Sequence, residues 1–225
     1  MCPDGAPPKL PRRPGVSIPR VPRKPRGPGR TTRDDWLRAA LTALVHEGVD
    51  NVKVLILAER LDCARSSFYW FFKDRAALLD ALLEHWESTN TRALIAATTP
   101  GSATITEALA RLYTSWLNED GFDTQLDFAI RDWARRSDTV RAVLETGDNA
   151  RIAAIAAMFL RHGYAEAEAD VRARIVYFTQ IGYATLDQRE SWETRNARGR
   201  HYLFCMTGHA PSESDLAMLM VTDGN

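Results

Sequence analysis

Residues 65–79 read Arg65-Ser66-Ser67-Phe68-Tyr69-Trp70-Phe71-Phe72-Lys73-Asp74-Arg75-Ala76-Ala77-Leu78-Leu79. The first seven predict a short helix that opens on donors and acceptors and continues into aromatic residues. Leu78, Leu79, Leu82, Leu83 and Trp86 then recur at three- and four-residue spacing and begin a long helix reaching about residue 97, closed by Thr99-Pro100-Gly101. Upstream, a helical run over about 52–61 is separated from residue 65 by a three-residue break at Asp62, Cys63 and Ala64. Further upstream, Trp36, Leu37, Ala40, Leu41, Leu44 and Val45 form one helical face, with Gly48 as the stop. Three short helices, a tight turn between the second and third, and a long helix after them give helix-turn-helix organisation. Ala58 is small where the third helix must approach the second. Asp62 takes the turn position that often needs a left-handed backbone, which Asp tolerates better than most residues.

Beyond this segment the pattern stays helical, with stretches at roughly 103–118, 123–136, 138–162, 166–188 and 191–206 and a last short helix near 212–221. Gly121, Gly163 and Gly208 punctuate them. No strand-like alternation of useful length and no internal repeat appears, so the expected fold is all-α. Residues 1–30 follow a different rule. Nine of the eleven prolines fall there, interleaved with eight Lys and Arg residues, in a stretch too poor in large apolar side chains to fold alone. The expected organisation is a disordered Pro/Arg-rich basic arm over 1–30, a helix-turn-helix domain over 31–76 and a helical domain over 77–225.

A formal net charge of zero hides an asymmetry: residues 1–75 carry a net +7 and residues 76–225 a net −7. A basic end on an acidic remainder points to a polyanion met by one end only, though uneven surface charge needs no partner. The arm likewise reads either as a solubilising tail or as a cationic segment that follows phosphates or enters a minor groove. Cys2, Cys63 and Cys205 stand far apart, without disulfide or zinc spacing, so a reducing cytoplasm is expected. No signal peptide and no membrane span is legible. There is no H-E-x-x-H, no Gly-rich phosphate loop, no G-x-S-x-G and no cluster of metal-spaced ligands, which argues against an enzyme, a metal site or a cofactor.

Gly48-Val49, Leu57-Ala58-Glu59-Arg60-Leu61 and above all Ser67 to Arg75 followed by Leu78-Leu79 resemble the tetracycline-repressor (TetR) family over about 55 residues. Ala129-Ile130-Arg131-Asp132-Trp133-Ala134-Arg135-Arg136 resembles a core-domain motif of one subgroup. The resemblance implies a homodimeric transcriptional regulator of operator DNA, repression and release by a small molecule being the family's majority habit. An activator without a small-molecule ligand, or a helical protein-interaction module, is the alternative. It implies that Tyr69 and Arg75 meet phosphates and that Arg65, Ser66 and Ser67 face the major groove, Arg65 being the candidate for guanine. Thr31 and Thr32 stand at a helix start suited to phosphate, and Trp70 and Lys73 complete the expected DNA-binding set. Departures from the family pattern are Leu55 and Ile56 at polar positions, Lys53 at a hydroxyl cap for which Asn51 can substitute, Asp62 for a glycine, and Trp70-Phe71 after Tyr69. Aromatic residues on a short helix also read as core.

The resemblance further implies an effector cavity between helices five to eight. Tyr113, Trp116, Phe128, Arg131, Trp133, Arg135, Phe159 and Tyr177 are the candidate ligand-binding residues, though aromatics at helical spacing also read as ordinary core. Arg131 and Arg135, one turn apart, can orient an acidic or carbonyl-bearing ligand, or form surface ion pairs with Asp127, Asp132 or Asp138. The stretches 166–188 and 191–206 are the expected dimer surface. Val171, Ile175, Phe178, Gly182 and Leu186 share one face of the first, and Tyr202-Leu203-Phe204-Cys205-Met206 is apolar on all sides. Burial of that second helix within one subunit is the competing explanation.

Overall fold

The first helix starts where Thr32 and Asp35 close a capping box. The Thr32 hydroxyl accepts from the Asp35 N–H, while the Asp35 carboxylate accepts from the Thr32 N–H at 2.9 Å. Helix α1 (Arg33–Glu47) ends at Gly48, whose φ of +81° lies where an L side chain is strained. A 3₁₀ turn (Val49–Asn51) leads to α2 (Val54–Arg60). Asn51 does not cap α2: its Nδ2 donates back to the Glu47 carbonyl at 2.8 Å, closing the end of α1, and Lys53 takes the α2 N-cap without a side-chain bond. Asp62 has φ +50°, the left-handed conformation the turn requires. The third helical element is a 3₁₀ helix (Arg65–Trp70), tighter than the α-helix expected there.

The computed structural model describes residues 31–117, 122–186 and 191–219. The basic arm at 1–30 lies outside them. Asp74 caps α3 (Arg75–Trp86) by accepting from the Ala77 N–H at 2.9 Å, so the long helix starts three residues before the apolar pattern does. One π turn (Glu87–Thr91) then passes into α4 (Arg92–Ala97). The remaining helices are α5 (Ile105–Leu117), α6 (Thr124–Ala134), α7 (Asp138–Arg161), α8 (Glu166–Thr185), α9 (Trp192–Thr207) and α10 (Glu213–Leu219). All regular structure among the described residues is helical.

Two apolar cores form. In the first, Phe68 is fully buried edge-on to Trp36 at 5.2 Å and stacked with Phe72 at 5.4 Å, which anchors the 3₁₀ helix. The same core takes in Leu126, Ile130, Trp133 and Ala134 of α6 and Val140 and Leu144 of α7. Packing therefore runs without a break across the boundary expected at residues 76/77. The second core joins Leu94, Leu109, Leu112 and Trp116 to Ile155 and Phe159 of α7, Val176 and Tyr177 of α8, and Leu203 and Met206 of α9. At 24 residues α7 is about 36 Å long and belongs to both cores. Arg136 Nη1 also pairs with Asp50 at 3.1 Å, a surface bond from the end of α6 to the turn before α2.

Candidate nucleic-acid interface and the buried network behind it

Anchoring Phe68 inward turns the rest of the 3₁₀ helix outward. Arg65, Ser66, Tyr69, Trp70 and Phe71 are exposed, Trp70 to 84%. Arg65 Nη2 lies 3.4 Å from the Tyr69 hydroxyl, so the candidate base reader and the candidate phosphate donor share one face one turn apart. The Ser67 hydroxyl donates to the Ala64 carbonyl at 2.8 Å, a local bond at the element's start. Leu55 on α2 adds an exposed apolar side chain, and Lys73 is exposed beyond the aromatic run. Arginine, hydroxyls and protruding apolar groups suit a major-groove surface, where guanine edges and thymine methyls are read.

The other expected phosphate contacts are partly engaged inside the protein. Arg75 Nε donates to the Val52 carbonyl at 2.6 Å and Nη2 to the Val49 carbonyl at 2.8 Å, so its guanidinium braces the turn that precedes α2. Thr32 is bound within its capping box, and the half-buried Thr31 precedes it. Arg33 lies 5.0 Å from the centroid of the Phe72 ring and adds a cation at the same helix start, which the sequence reading did not single out.

Behind this surface, α3, α6, α7 and α8 meet at a buried polar network. Trp86 Nε1 donates to Asp127 Oδ1 at 2.8 Å. Arg151 Nη1 reaches the same oxygen at 2.8 Å, and Arg131 Nε reaches Oδ2 at 2.9 Å. Both Arg131 terminal nitrogens bind Asp148, at 2.9 and 2.7 Å, and the Tyr177 hydroxyl donates to Asp148 at 2.6 Å while accepting from Arg131 and Arg151. Burial alone would raise the Asp127 carboxyl, but Arg151 and Arg131 outweigh it and hold it below its ordinary value. Burial pushes the Tyr177 hydroxyl up, which keeps it a neutral donor. Gly147 is required here: a Cβ on it would sit 2.7 Å from the Trp86 ring.

The candidate ligand-binding residues do not converge on one place. Arg131 and Tyr177 lie in the network. Tyr113, Trp116 and Phe159 pack in or against the second core, Trp133 sits in the first, and Phe128 and Arg135 are exposed. Arg131 forms an ion pair with Asp127, as its alternative reading had it, but inside the protein rather than on its surface. Asp148 and Arg151 were missed. An arginine beside Ile152 and Ile155 in an otherwise apolar helical run was the available signal. Among the described residues no group of His, Cys, Asp and Glu is placed to hold a metal ion, and no helix is long and apolar enough to cross a membrane.

Residues 37–82 match the profile of the family described as bacterial regulatory proteins, tetR family. The tetracycline repressor protein class A from transposon 1721 of Escherichia coli is 48% identical over 48 residues, and the match covers 21% of this chain and 22% of that protein. The chain thus spans about a fifth of the length of the curated relative it matches. Among solved structures, Salmonella enterica GusR superposes with a TM-score of 0.58 at 19% identity, covering 83% of this chain and 94% of that one. Mycobacterium smegmatis AmtR gives 0.55 at 21% identity, covering 87% and 95%. Residues 37–82 thus match the model of that family, and the described helical body has the fold of Salmonella enterica GusR and Mycobacterium smegmatis AmtR.

Proposed function

We propose that the protein is a sequence-specific DNA-binding transcriptional regulator, a repressor that leaves its operator when a small molecule binds the helical body. The observation that carries this reading is the 3₁₀ helix Arg65–Trp70. It is pinned by Phe68 and presents Arg65, Ser66, Tyr69 and Trp70 outward beyond the turn at Asp62. Pairing of two such elements in a dimer would read two half-sites about one helical turn apart.

A stripe on α8 supports the dimer. Val171, Ile175, Phe178 and Leu186 are exposed along one face, a Cβ at Gly182 would meet no atom within 4 Å, and Phe204 of α9 is exposed as well. An apolar stripe of this length on one helix is what a two-fold four-helix interface buries.

Release follows from the shared core. A ligand among α5 to α8 that prefers one placement of α3 over another shifts the spacing of the two recognition elements through that preference, typically by about 1–3 kcal/mol of coupling. The experiment is selection of bound duplexes from a random library, followed by challenge of the enriched sequence with candidate metabolites. Enrichment of a two-fold-symmetric site and its release by a metabolite support the reading. A library left unenriched contradicts it.

A further inference from the structure

The first turn of α1 packs against the 3₁₀ helix Arg65–Trp70. Trp36 meets Phe68 edge-on at 5.2 Å, and the Arg33 guanidinium stands 5.0 Å from the centroid of Phe72, which follows the exposed Phe71. Thr32, the N-cap of α1, directly precedes Arg33. The chain therefore enters the helical body at the edge of the element that presents Arg65, Tyr69 and Trp70 outward.

Residues 1–30 lie outside the described residues, and their sequence carries a period. Pro19, Pro22, Pro25 and Pro28 recur every third residue, and Arg20, Arg23 and Arg26 follow the first three of them. The polyproline II helix has three residues per turn and a rise of about 3.1 Å per residue, so in that conformation the three arginines share one edge, about 9 Å apart. Proline withholds its N–H and clashes in a helix interior, so this stretch cannot supply the α-helix that a major groove takes. No acidic residue stands between Asp4 and Asp34. Four of the five cations from residue 20 to residue 30 are arginines, whose guanidinium groups are more weakly hydrated than an ammonium.

Reach decides which groove is available. Arg26 and Arg20 precede Thr32 by six and twelve residues, about 19 and 37 Å of polyproline chain. Neighbouring major and minor grooves are centred about 17 Å apart, half of a helical turn of about 34 Å. We propose that residues 19–26 lie in the minor groove flanking each half-site, with Arg20, Arg23 and Arg26 along its floor and a preference for A·T-rich flanks. A·T tracts narrow that groove and deepen its negative potential, which favours inserted arginine. The proposal rests on the DNA-binding reading above and adds a second contact, on base pairs outside those met by the 3₁₀ helix.

The test uses the full chain, with substitutions confined to the arm. Binding is followed by anisotropy at one low salt concentration on the selected operator with A-tract or G·C flanks, and on the same flanks around a scrambled centre. The native protein should bind the A-tract duplex about fivefold or more tighter than the G·C duplex around either centre. Replacing the three arginines together by lysine (Arg20→Lys, Arg23→Lys, Arg26→Lys) keeps every charge. That variant should bring the ratio below about twofold while binding the G·C-flanked operator as the native protein does. Replacing them by alanine should also abolish the ratio and make the salt slope shallower by about three units. Equal affinity of the native protein for the two flanks would overturn the proposal. So would a ratio retained in the lysine variant, which would leave an arm that follows phosphates by charge alone. The scrambled-centre pair separates this outcome from the operator reading: a flank preference there, without any preference for the operator centre, would sink that reading and leave the arm's site standing.

Discussion

Trp86 Nε1 donates to Asp127 Oδ1 at 2.8 Å, and both residues are buried. The bond ties the last residue of α3, the helix that follows the 3₁₀ helix Arg65–Trp70, to the first turn of α6. Asp127 is in turn held by Arg131 on its own helix and by Arg151 on α7. One carboxylate thus touches three helices, and its loss leaves two guanidinium groups short of a partner.

Asp127→Asn is therefore expected to cost about 3–5 kcal/mol of stability, the range for removing one partner of a buried ion pair. Urea unfolding followed by circular dichroism measures it. The pH dependence has a definite sign. The folded carboxyl lies below its unfolded value of about 3.9, so its contribution is complete above that pH and is lost as pH falls through the lower folded value. Acid unfolding of the native protein should steepen below about pH 4, and the variant should lack that component. A loss under about 1 kcal/mol in Asp127→Asn would show that the network is not held by this residue.

Arg75→Ala removes two bonds to the Val49 and Val52 carbonyls as well as a cation at the proposed DNA-binding surface. It should lower stability by about 1–3 kcal/mol and weaken operator and random DNA about equally, with a salt slope shallower by about one unit. Tyr69→Phe should weaken both DNAs equally without the loss of stability, because the ring contact with Phe68 stays. Anisotropy over a salt series checks both variants. A defect confined to the operator would remove the phosphate assignment.

Phe178→Glu places a charge in the apolar stripe of α8. If that stripe is the dimer interface, the dimer should weaken by about 30-fold or more, the scale of a hot-spot loss near 2 kcal/mol. Sedimentation at micromolar concentration measures it. An unchanged dimer would locate the interface elsewhere.

The sequence made most of the architecture legible because helical faces depend on local spacing. Trp36, Ala40, Leu44, Leu78 and Leu82 were readable as a face and are buried. Asp62 was readable as a left-handed turn residue because a tight turn demands one. The buried polar network was not legible in the same way. Arg131, Asp148, Arg151 and Tyr177 come from three helices, and which donors meet which acceptors depends on helix placement rather than on spacing. Arg75 shows a second limit. Its residue type and position suit a phosphate, but two of its nitrogens are bonded to carbonyls that lie 23 and 26 residues earlier in the chain. Trp70 read more readily as core than as contact, yet it is exposed, because Phe68 has taken the inward position.

The central claim is that the 3₁₀ helix Arg65–Trp70 reads base sequence. The most direct measurement is the affinity of the native protein and Arg65→Ala for the selected operator and for a scrambled duplex, at one fixed salt concentration. The native protein should prefer its operator by about 10³-fold or more. Arg65→Ala should lose about 1–3 kcal/mol on the operator, far less on the scrambled duplex, and its preference at one base position of each half-site. Equal affinities of the native protein for the two duplexes would contradict the account, and equal losses on both in Arg65→Ala would make Arg65 a backbone contact.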